Sequence, residues 1–170
     1  LLTGEAQRLG ITHTLVDMCN LDAVREAVTD STGLVVVETV SNPLVRVVDI
    51  PALADISHDQ GALLLVDNTF ATPALCKPLT LGADLVLESV SKLMNGHSDV
   101  MLGMLAGRTG QWERVPTALS VWGLASSPLQ CWLANRGLST MHLRIRQCCD
   151  NAMAAAKFLC QQSQVKDVQY

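Results

Sequence analysis

The chain has 170 residues, of which 49% are hydrophobic and 16% are charged, and its formal net charge is −4. A chain of this length and composition can bury a sizeable hydrophobic core, which excludes an intrinsically disordered protein. The negative charge and the scattered basic residues give no positive surface for phosphate groups, so we expect neither nucleic acid nor a membrane as a partner.

The apolar runs and the cysteines indicate a compartment rather than an activity. The apolar runs at 34–37 and 62–66 are strand-length, whereas a membrane helix needs about 20 apolar residues. The first ten residues lack the features of a signal peptide. The six cysteines show no Cys-x-x-Cys pair and no metal-ligand spacing, and we interpret them as buried thiols. These features predict a cytoplasmic protein without a metal site.

Short β-rich segments alternate with helical segments through the first 107 residues. The predicted strands are 12–16, 34–38, 62–66, 84–87 and 100–105. A helix is predicted at 21–28, and a second helix begins at Asp49 as N-cap, has Pro51 in its first turn and ends at Gly61. This alternation predicts an α/β fold with a mostly parallel sheet and flanking helices. The near-continuous Val and Leu runs predict strands that are covered on both faces.

The pattern after Gly107 is helical only. Pro116 and Pro128 are expected to break helices, and a long helix is predicted at 138–161 with Gly137 at its start. No repeat, low-complexity segment or Ser- or Gly-rich linker divides the chain. A single domain is therefore the simplest prediction.

Lys92 has a setting that differs from that of the other three lysines. It follows a predicted buried strand, where desolvation lowers the pKa of an amine and makes it nucleophilic. On extended backbone, the hydroxyls of Ser89 and Ser91 would project to one side and could bind a phosphate beside this amine. The alternative is a surface lysine that merely follows a strand.

Polar residues also follow two other predicted strands. Asp67 lies at the carboxyl end of the predicted strand 62–66. Open α/β sheets bind ligands in the crevice at the carboxyl ends of their strands. A carboxylate there could keep a pyridine nitrogen protonated, or it could only cap the following turn. The Asn42-Pro43 pair predicts a turn that directs the Asn42 amide toward the same crevice, unless Asn42 serves only to form the turn.

Four segments resemble the transsulfuration (Cys/Met metabolism) enzymes, which include cystathionine γ-synthase and cystathionine γ-lyase. The segments are ETVSNPLVRVVDI, GALLLVDNTFATPAL, GADLVLESVSKLMNGHSDV and CWLANRGLSTMHLR. The resemblance implies an aspartate-aminotransferase-like (PLP fold type I) large-domain core and pyridoxal 5′-phosphate as cofactor. It further implies that Lys92 carries the cofactor covalently, that Asp67 pairs with the pyridinium nitrogen, and that Ser89 and Ser91 hold the phosphate. Asn42 resembles the family residue beside the phenolic oxygen.

The same resemblance implies a function and an assembly. It implies chemistry at the γ position of sulfur amino acids or activated homoserine, a small amino-acid substrate, and a homo-oligomer that is a dimer of dimers. The alternatives are a β-lyase or sulfhydrylase of the same family, or a catalytically silent fragment used for subunit packing. Residues 1–170 would be an incomplete large domain without its N-terminal segment and the small C-terminal domain, and we expect this piece alone to be inactive. No Gly-x-Gly-x-x-Gly follows a predicted strand, which argues against a nicotinamide oxidoreductase.

Three positions depart from the family pattern. Ser91 stands where the family usually has Thr, Leu93 where an aromatic residue is common, and Glu88 where His is frequent. The changes at Leu93 and Glu88 are expected to alter local packing and substrate preference. His97 is expected to order its loop rather than act as an acid or base.

Overall fold

The computed structural model describes residues 4, 6–108, 110, 112 and 115–170. Its centre is a four-stranded sheet in the spatial order β1-β2-β3-β4. The strands are β1 (Leu34–Glu38), β2 (Leu63–Asp67), β3 (Leu85–Ser89) and β4 (Gly103–Gly107). The first three are parallel, and β4 runs antiparallel to β3. The predicted α/β fold with a mostly parallel sheet is confirmed. Four of the five predicted strands match observed ones, of which 34–38 has the predicted bounds and the other three have shifted ends.

Helices and tight turns flank the sheet. They are α1 (Leu21–Ala27), α2 (Ile50–Asp59), α3 (Thr72–Leu75), a 3-10 turn (Pro78–Leu81), a π-helical turn (Val90–Met94), α4 (Val115–Val121), α5 (Pro128–Leu138) and α6 (Met141–Leu159). The predicted start of α2 is confirmed, because the Asp49 side chain accepts the Ala52 N–H at 3.1 Å. Its predicted end is also confirmed, since Gly61 follows with a φ of 75°.

The prolines in the helical part begin helices instead of breaking them. Pro128 is the first residue of α5 and Pro116 the second of α4. Proline is tolerated there because the first N–H groups of a helix have no partner inside the helix. The predicted long helix at 138–161 corresponds to α6, which spans Met141–Leu159. Its start is later than predicted, because Gly137 and Leu138 still belong to α5.

The hydrophobic core lies on one face of the sheet. Leu64 and Val66 of β2 are fully buried, as is Leu53 of α2. Side chains alternate across a strand, so the opposite face carries Leu34 and Val36, which are 45% and 54% exposed. The prediction that the strands are covered on both faces is therefore wrong for β1, because in the described part of the chain α1 and α2 cover a single face.

Two further predictions are wrong. Residues 12–16 form no strand: β1 is the edge of the sheet, no described residue pairs with this segment, and Leu15 is 79% exposed. The cysteines are not buried thiols, since four are exposed and the other two, Cys76 and Cys149, are half-buried. The helices α5 and α6 carry three of them, and of these Cys131 and Cys148 face the surface.

None of the helices in the described ranges combines the length and the apolar character needed to cross a bilayer.

Candidate cofactor-binding site

Asp67 is the last residue of β2, in register with Glu38 of β1. Its carbonyl accepts the N–H of Thr39 at 2.9 Å, which ties this strand end to β1. Its Oδ1 accepts the N–H of Thr69 at 3.0 Å, the turn-capping contact expected of an Asp in this position. The half-buried carboxylate is thus fixed at the carboxyl end of a central strand, where open α/β sheets bind ligands.

Lys92 projects from the π-helical turn Val90–Met94 that directly follows β3. Its φ of −96° and ψ of −124° are not helical, so the chain changes direction at this residue. Its side chain is exposed, and Nζ lies 5.7 Å from the centroid of the Phe70 ring. An ammonium group at this distance is attracted by the face of an aromatic ring. Because Phe70 belongs to the turn after Asp67, the contact brings the amine to the end of β2.

Ser89 joins the ends of two strands. Its N–H donates to Oγ1 of Thr69 at 2.9 Å, and in the sheet it pairs with Gly103 of β4. Asp67 is in register with Leu87, two residues before Ser89. Since side chains of paired residues and of residues two apart lie on one face of a sheet, Ser89 and Asp67 share a face.

Ser91 lies differently from the expectation based on extended backbone. The strand ends at Ser89, and the following residues form the π-helical turn. The Ser91 hydroxyl accepts the Leu102 N–H at 2.8 Å and lies 3.2 Å from the Leu102 carbonyl, to which it donates. The structure therefore places this hydroxyl against the backbone of Leu102, the residue before β4, rather than beside the Ser89 hydroxyl. Its role in phosphate binding stays a prediction.

Asn42 lies in the turn after β1 and is exposed. The turn contains a cis peptide bond between Asn42 and Pro43, and the Asn42 N–H donates to Oε2 of Glu38 at 3.2 Å. Among the described hydrogen bonds, none joins its side-chain amide to Asp67 or Lys92. The structure thus brings Asp67, Lys92 and Ser89 to two adjacent strand ends and leaves Asn42 at the edge of this group.

A buried polar chain behind Asp67 was not predicted from the sequence. Thr39 donates its hydroxyl to Oδ1 of Asn68 at 2.7 Å, and Nδ2 of Asn68 donates to Oε1 of Glu88 at 2.9 Å. Glu88 is only 1% exposed, and its Oε2 has no hydrogen-bond partner among the described residues. Burial raises the pKa of Glu88 from 4.5 to about 7; the hydrogen bond from Asn68 lowers it and the charge of Asp67 raises it. The only sequence signal was strand alternation, which places Glu88 on the buried face with Val86.

Arg144 of α6 was also missed, although it lies in one of the resembling segments. Its Nη1 donates to the carbonyl of Leu93 at 2.8 Å, and its Nη2 donates to the carbonyl of Met94 at 2.7 Å. Nη2 also donates to the Gly137 carbonyl at 3.0 Å, at the end of α5. One guanidinium therefore joins the Lys92 turn to both long helices, and no sequence pattern predicts contacts across about fifty residues.

The loop after the Lys92 turn is held by its own side chains. Asn95 is 1% exposed, and its Nδ2 donates to Oδ1 of Asp99 at 2.6 Å. Nδ1 of His97 lies 2.6 Å from the Asn95 carbonyl, a contact that orders the loop as expected for His97. Gly137 approaches so closely that a Cβ there would lie 2.7 Å from the same carbonyl. The loop is therefore packed directly on the backbone of α5.

A largely apolar cleft of about 950 Å³ lies beside these elements. Phe70 and Leu93 line it, together with residues of α6 such as Ile145 and Cys149. Neither Lys92 nor Asp67 is among its lining residues, so the cleft adjoins the polar strand ends and does not contain them.

The donor groups at the strand ends fit pyridoxal phosphate. An amine can bond to its aldehyde carbon, a carboxylate can hold its ring nitrogen protonated, and a hydroxyl can donate to its phosphate. Lys92, Asp67 and Ser89 supply one group of each kind, and Phe70 keeps the amine above the Asp67 turn. In the described part of the chain, no group of three His, Cys, Asp or Glu side chains is arranged to hold a metal ion.

Comparison with known proteins gives one consistent family. The sequence model of the family described as Cys/Met metabolism PLP-dependent enzyme matches residues 1–170. The chain is 42% identical over 169 residues to cystathionine gamma-lyase of Dictyostelium discoideum, covering 99% of this chain and 44% of the relative. It is 42% identical over 164 residues to cystathionine gamma-synthase of Mycobacterium tuberculosis, covering 96% of this chain and 42% of the relative.

The fold is likewise similar to that of a solved structure. The crystal structure of cystathionine gamma-lyase from Lactobacillus plantarum complexed with L-serine superposes with a TM-score of 0.91 at 36% identity. The match covers 94% of this chain and 42% of that chain. The chain thus spans less than half the length of these relatives.

Proposed function

Because the chain belongs to the Cys/Met metabolism PLP-dependent enzyme family, we propose that it forms part of an enzyme that acts at the γ position of sulfur amino acids or activated homoserine. Relatives named as γ-lyases and γ-synthases support this proposal at similar identity. The observation that carries it is the position of the Lys92 amine, over the ring of Phe70 and next to the strand end that holds Asp67.

The proposed roles follow from the chemistry of each group. When bound, pyridoxal phosphate supplies an electron sink for the electron pair released at the substrate Cα. Lys92 Nζ bonds to the cofactor in the resting enzyme and, once released, accepts the Cα proton and moves a proton between Cα and Cβ. Asp67 keeps the ring nitrogen protonated, and its fixed backbone orients the carboxylate.

The remaining proposed site residues are Ser89, Ser91 and Asn42. Ser89 donates its hydroxyl to the phosphate from the same face of the sheet as Asp67. We assign Ser91 to the phosphate and Asn42 to the phenolic oxygen because both residues lie in segments that resemble the family. The Ser91 hydroxyl is bonded to Leu102 in this structure.

We also propose the wider setting of the chain. Residues 1–170 are the core of a larger cofactor-binding domain, which requires further segments for activity, and the full-length protein is a cytoplasmic dimer of dimers. The six free cysteines support a reducing compartment. The small share of each relative that the chain covers supports the need for further segments.

Borohydride reduction of the full-length, cofactor-loaded protein followed by peptide mapping tests the role of Lys92. A pyridoxyl label on Lys92 is the expected result. Lys77 serves as a built-in control because it is also exposed but precedes the 3-10 turn Pro78–Leu81 and is not part of the turn that follows β3. A label on Lys77, Lys157 or Lys166 instead of Lys92 would overturn the assignment.

Product analysis with cystathionine tests the bond that is broken. A γ-lyase releases 2-oxobutyrate and cysteine, whereas a γ-synthase joins cysteine to an acylated homoserine. Pyruvate and homocysteine as the main products would show β-elimination and contradict the γ assignment.

A further inference from the structure

We infer that Arg144 is a positioning residue for Lys92: its guanidinium holds the two carbonyls that follow Lys92 and so fixes the backbone from which the amine projects. This inference rests on the proposed function of Lys92. It concerns a residue that lies on a different helix and 52 positions further along the chain.

The guanidinium is used as a fork. Nη1 and Nη2 donate separately to the carbonyls of Leu93 and Met94, at 2.8 and 2.7 Å. Nε donates to Oγ1 of Thr140 at 3.2 Å, which orients the group from the start of its own helix. Charge-assisted hydrogen bonds of this length are about twice as strong as neutral ones, and the planar fork adds geometric specificity.

Arg144 bonds to backbone and not to an acid. Within the described residues, no carboxylate lies at ion-pair distance from its guanidinium. Apart from the Thr140 hydroxyl, its acceptors are main-chain carbonyls of the Lys92 turn and of Gly137. The side chain therefore holds backbone segments together, and the segment it holds on one side is the one that carries Lys92.

Lys92 depends on such a support because little else fixes its amine. Its side chain is exposed, and its own φ and ψ interrupt the turn. Two backbone hydrogen bonds close the turn around it, from Gly96 N–H to the Lys92 carbonyl at 2.8 Å and from Asn95 N–H to the Val90 carbonyl at 3.0 Å. Leu93 and Met94 lie within the turn that these two bonds close, and their carbonyls are the ones to which Arg144 donates.

The packing around the guanidinium leaves no room for a shift toward the turn. A Cβ added at Gly96 would lie 2.6 Å from Cζ of Arg144. The Gly96 backbone, with a φ of 71°, therefore contacts the guanidinium face directly. A flexible side chain at position 144 would leave this space unfilled and allow the turn to move.

The test compares three variants of the full-length apoprotein: Arg144→Met, Arg144→Lys and the control Arg146→Met. Arg146 is exposed on the same helix, so its replacement removes the same charge without touching the turn. The first readout is the rate at which added pyridoxal phosphate labels Lys92, trapped by borohydride at timed intervals. The second is hydrogen exchange at the Asn95 and Gly96 amides before the cofactor is added.

Arg144→Met is expected to slow labelling of Lys92 by about 10- to 100-fold, since a misplacement of about 1 Å costs rates of that order. Arg144→Lys should fall between it and the wild type, because an ammonium group cannot hold both carbonyls in one plane. Exchange at Asn95 and Gly96 should accelerate in the same order. The control should stay within about twofold of the wild type, and the cofactor-loaded variants should lose kcat with little change in KM.

Labelling at the wild-type rate in Arg144→Met would refute the role, even if the variant were less stable. If Arg144→Met does not fold, an Arg144→Lys variant that labels at the wild-type rate would refute it equally. A wild-type protein with no label on Lys92 would instead refute the proposed function, and this role with it.

Discussion

Glu88→Gln keeps the shape of a buried side chain and removes its ability to ionise. Glu88 is 1% exposed, and its Oε2 has no described partner, so its charged form is unfavourable in the folded protein. Its pKa rises from 4.5 to about 7, first because of burial. The folded protein therefore binds a proton on Glu88 in a pH range where the unfolded chain has released it.

The sign of the effect on stability follows from this difference. A carboxyl whose pKa is higher in the folded state costs nothing below about pH 4.5 and its full penalty above about pH 7. At about 1.4 kcal/mol per unit, the shift corresponds to about 3 kcal/mol. Relaxation and water entry at the nearby strand ends reduce this, so we expect a penalty of about 2 kcal/mol.

Glutamine should remove this penalty. Its Oε1 can still accept the hydrogen bond from Asn68, while its amide places two N–H donors where Oε2 has no described partner. That is one unpaired donor more than the protonated carboxyl has, at a cost of about 1 kcal/mol. The variant should thus be equal to or slightly less stable than the wild type at pH 4.5, and should gain about 2 kcal/mol relative to it by pH 8. The residues near the Glu88 side chain are Thr39, Asn68, Asp67 and Cys76. Burial raises the pKa of the Cys76 thiol, and the charge of Glu88 raises it further.

The assay is urea unfolding of the full-length protein and its variants from pH 4.5 to 8.5 at constant cofactor concentration. Glu26→Gln is the matched control, because it makes the same substitution at an exposed position of α1. A stability difference between wild type and Glu88→Gln that stays constant from pH 4.5 to 8.5 would refute the reasoning.

Two further predictions concern the turn and the strand end. Asp67→Asn should still label Lys92 with cofactor but lower turnover by about 100-fold or more, because the ring nitrogen loses its ionised partner; near-normal turnover would leave Asp67 as a turn cap only. Gly137→Ala should destabilise the protein by about 1 to 3 kcal/mol in urea unfolding, since its Cβ would lie 2.7 Å from the Asn95 carbonyl. Gly33→Ala, where a Cβ meets nothing within 4 Å, is the control, and equal stabilities for the two variants would contradict the packing argument.

The sequence was sufficient to predict those features that depend on residues close together in the chain. The N-cap at Asp49 and the glycine after α2 follow from backbone conformation alone, and the strands β1 to β3 follow from dense runs of β-branched and leucine residues. The segment 12–16 has a similar composition but no strand beside it in the structure. The sequence pattern alone could therefore not exclude a strand at these residues. Pairing, unlike propensity, depends on residues far away in sequence.

Part of the candidate site could be predicted from the sequence in the same way. Asp67 and Lys92 could be placed together because parallel strands end at the same edge. Ser91 could not, because its hydroxyl position depends on a hydrogen bond to Leu102, eleven residues further on. The contacts of Arg144 and Glu88 could not be predicted for a related reason: Arg144 bonds to backbone carbonyls of a distant turn, and Glu88 bonds to the amide of Asn68, which follows β2.

The antiparallel direction of β4 determines how the Lys92 segment can vary. The chain leaves the sheet at Ser89 and re-enters it at Gly103, which are paired neighbours, and the Ser91–Leu102 hydrogen bonds close the segment just outside the sheet. Residues 92–101 therefore form a loop whose two ends are held together by these hydrogen bonds. Substitutions there, such as the Leu93 that lines the adjoining cleft, can reshape the space beside the amine while the strand register stays unchanged. The shape of the space beside the amine can thus change without remodelling of the sheet.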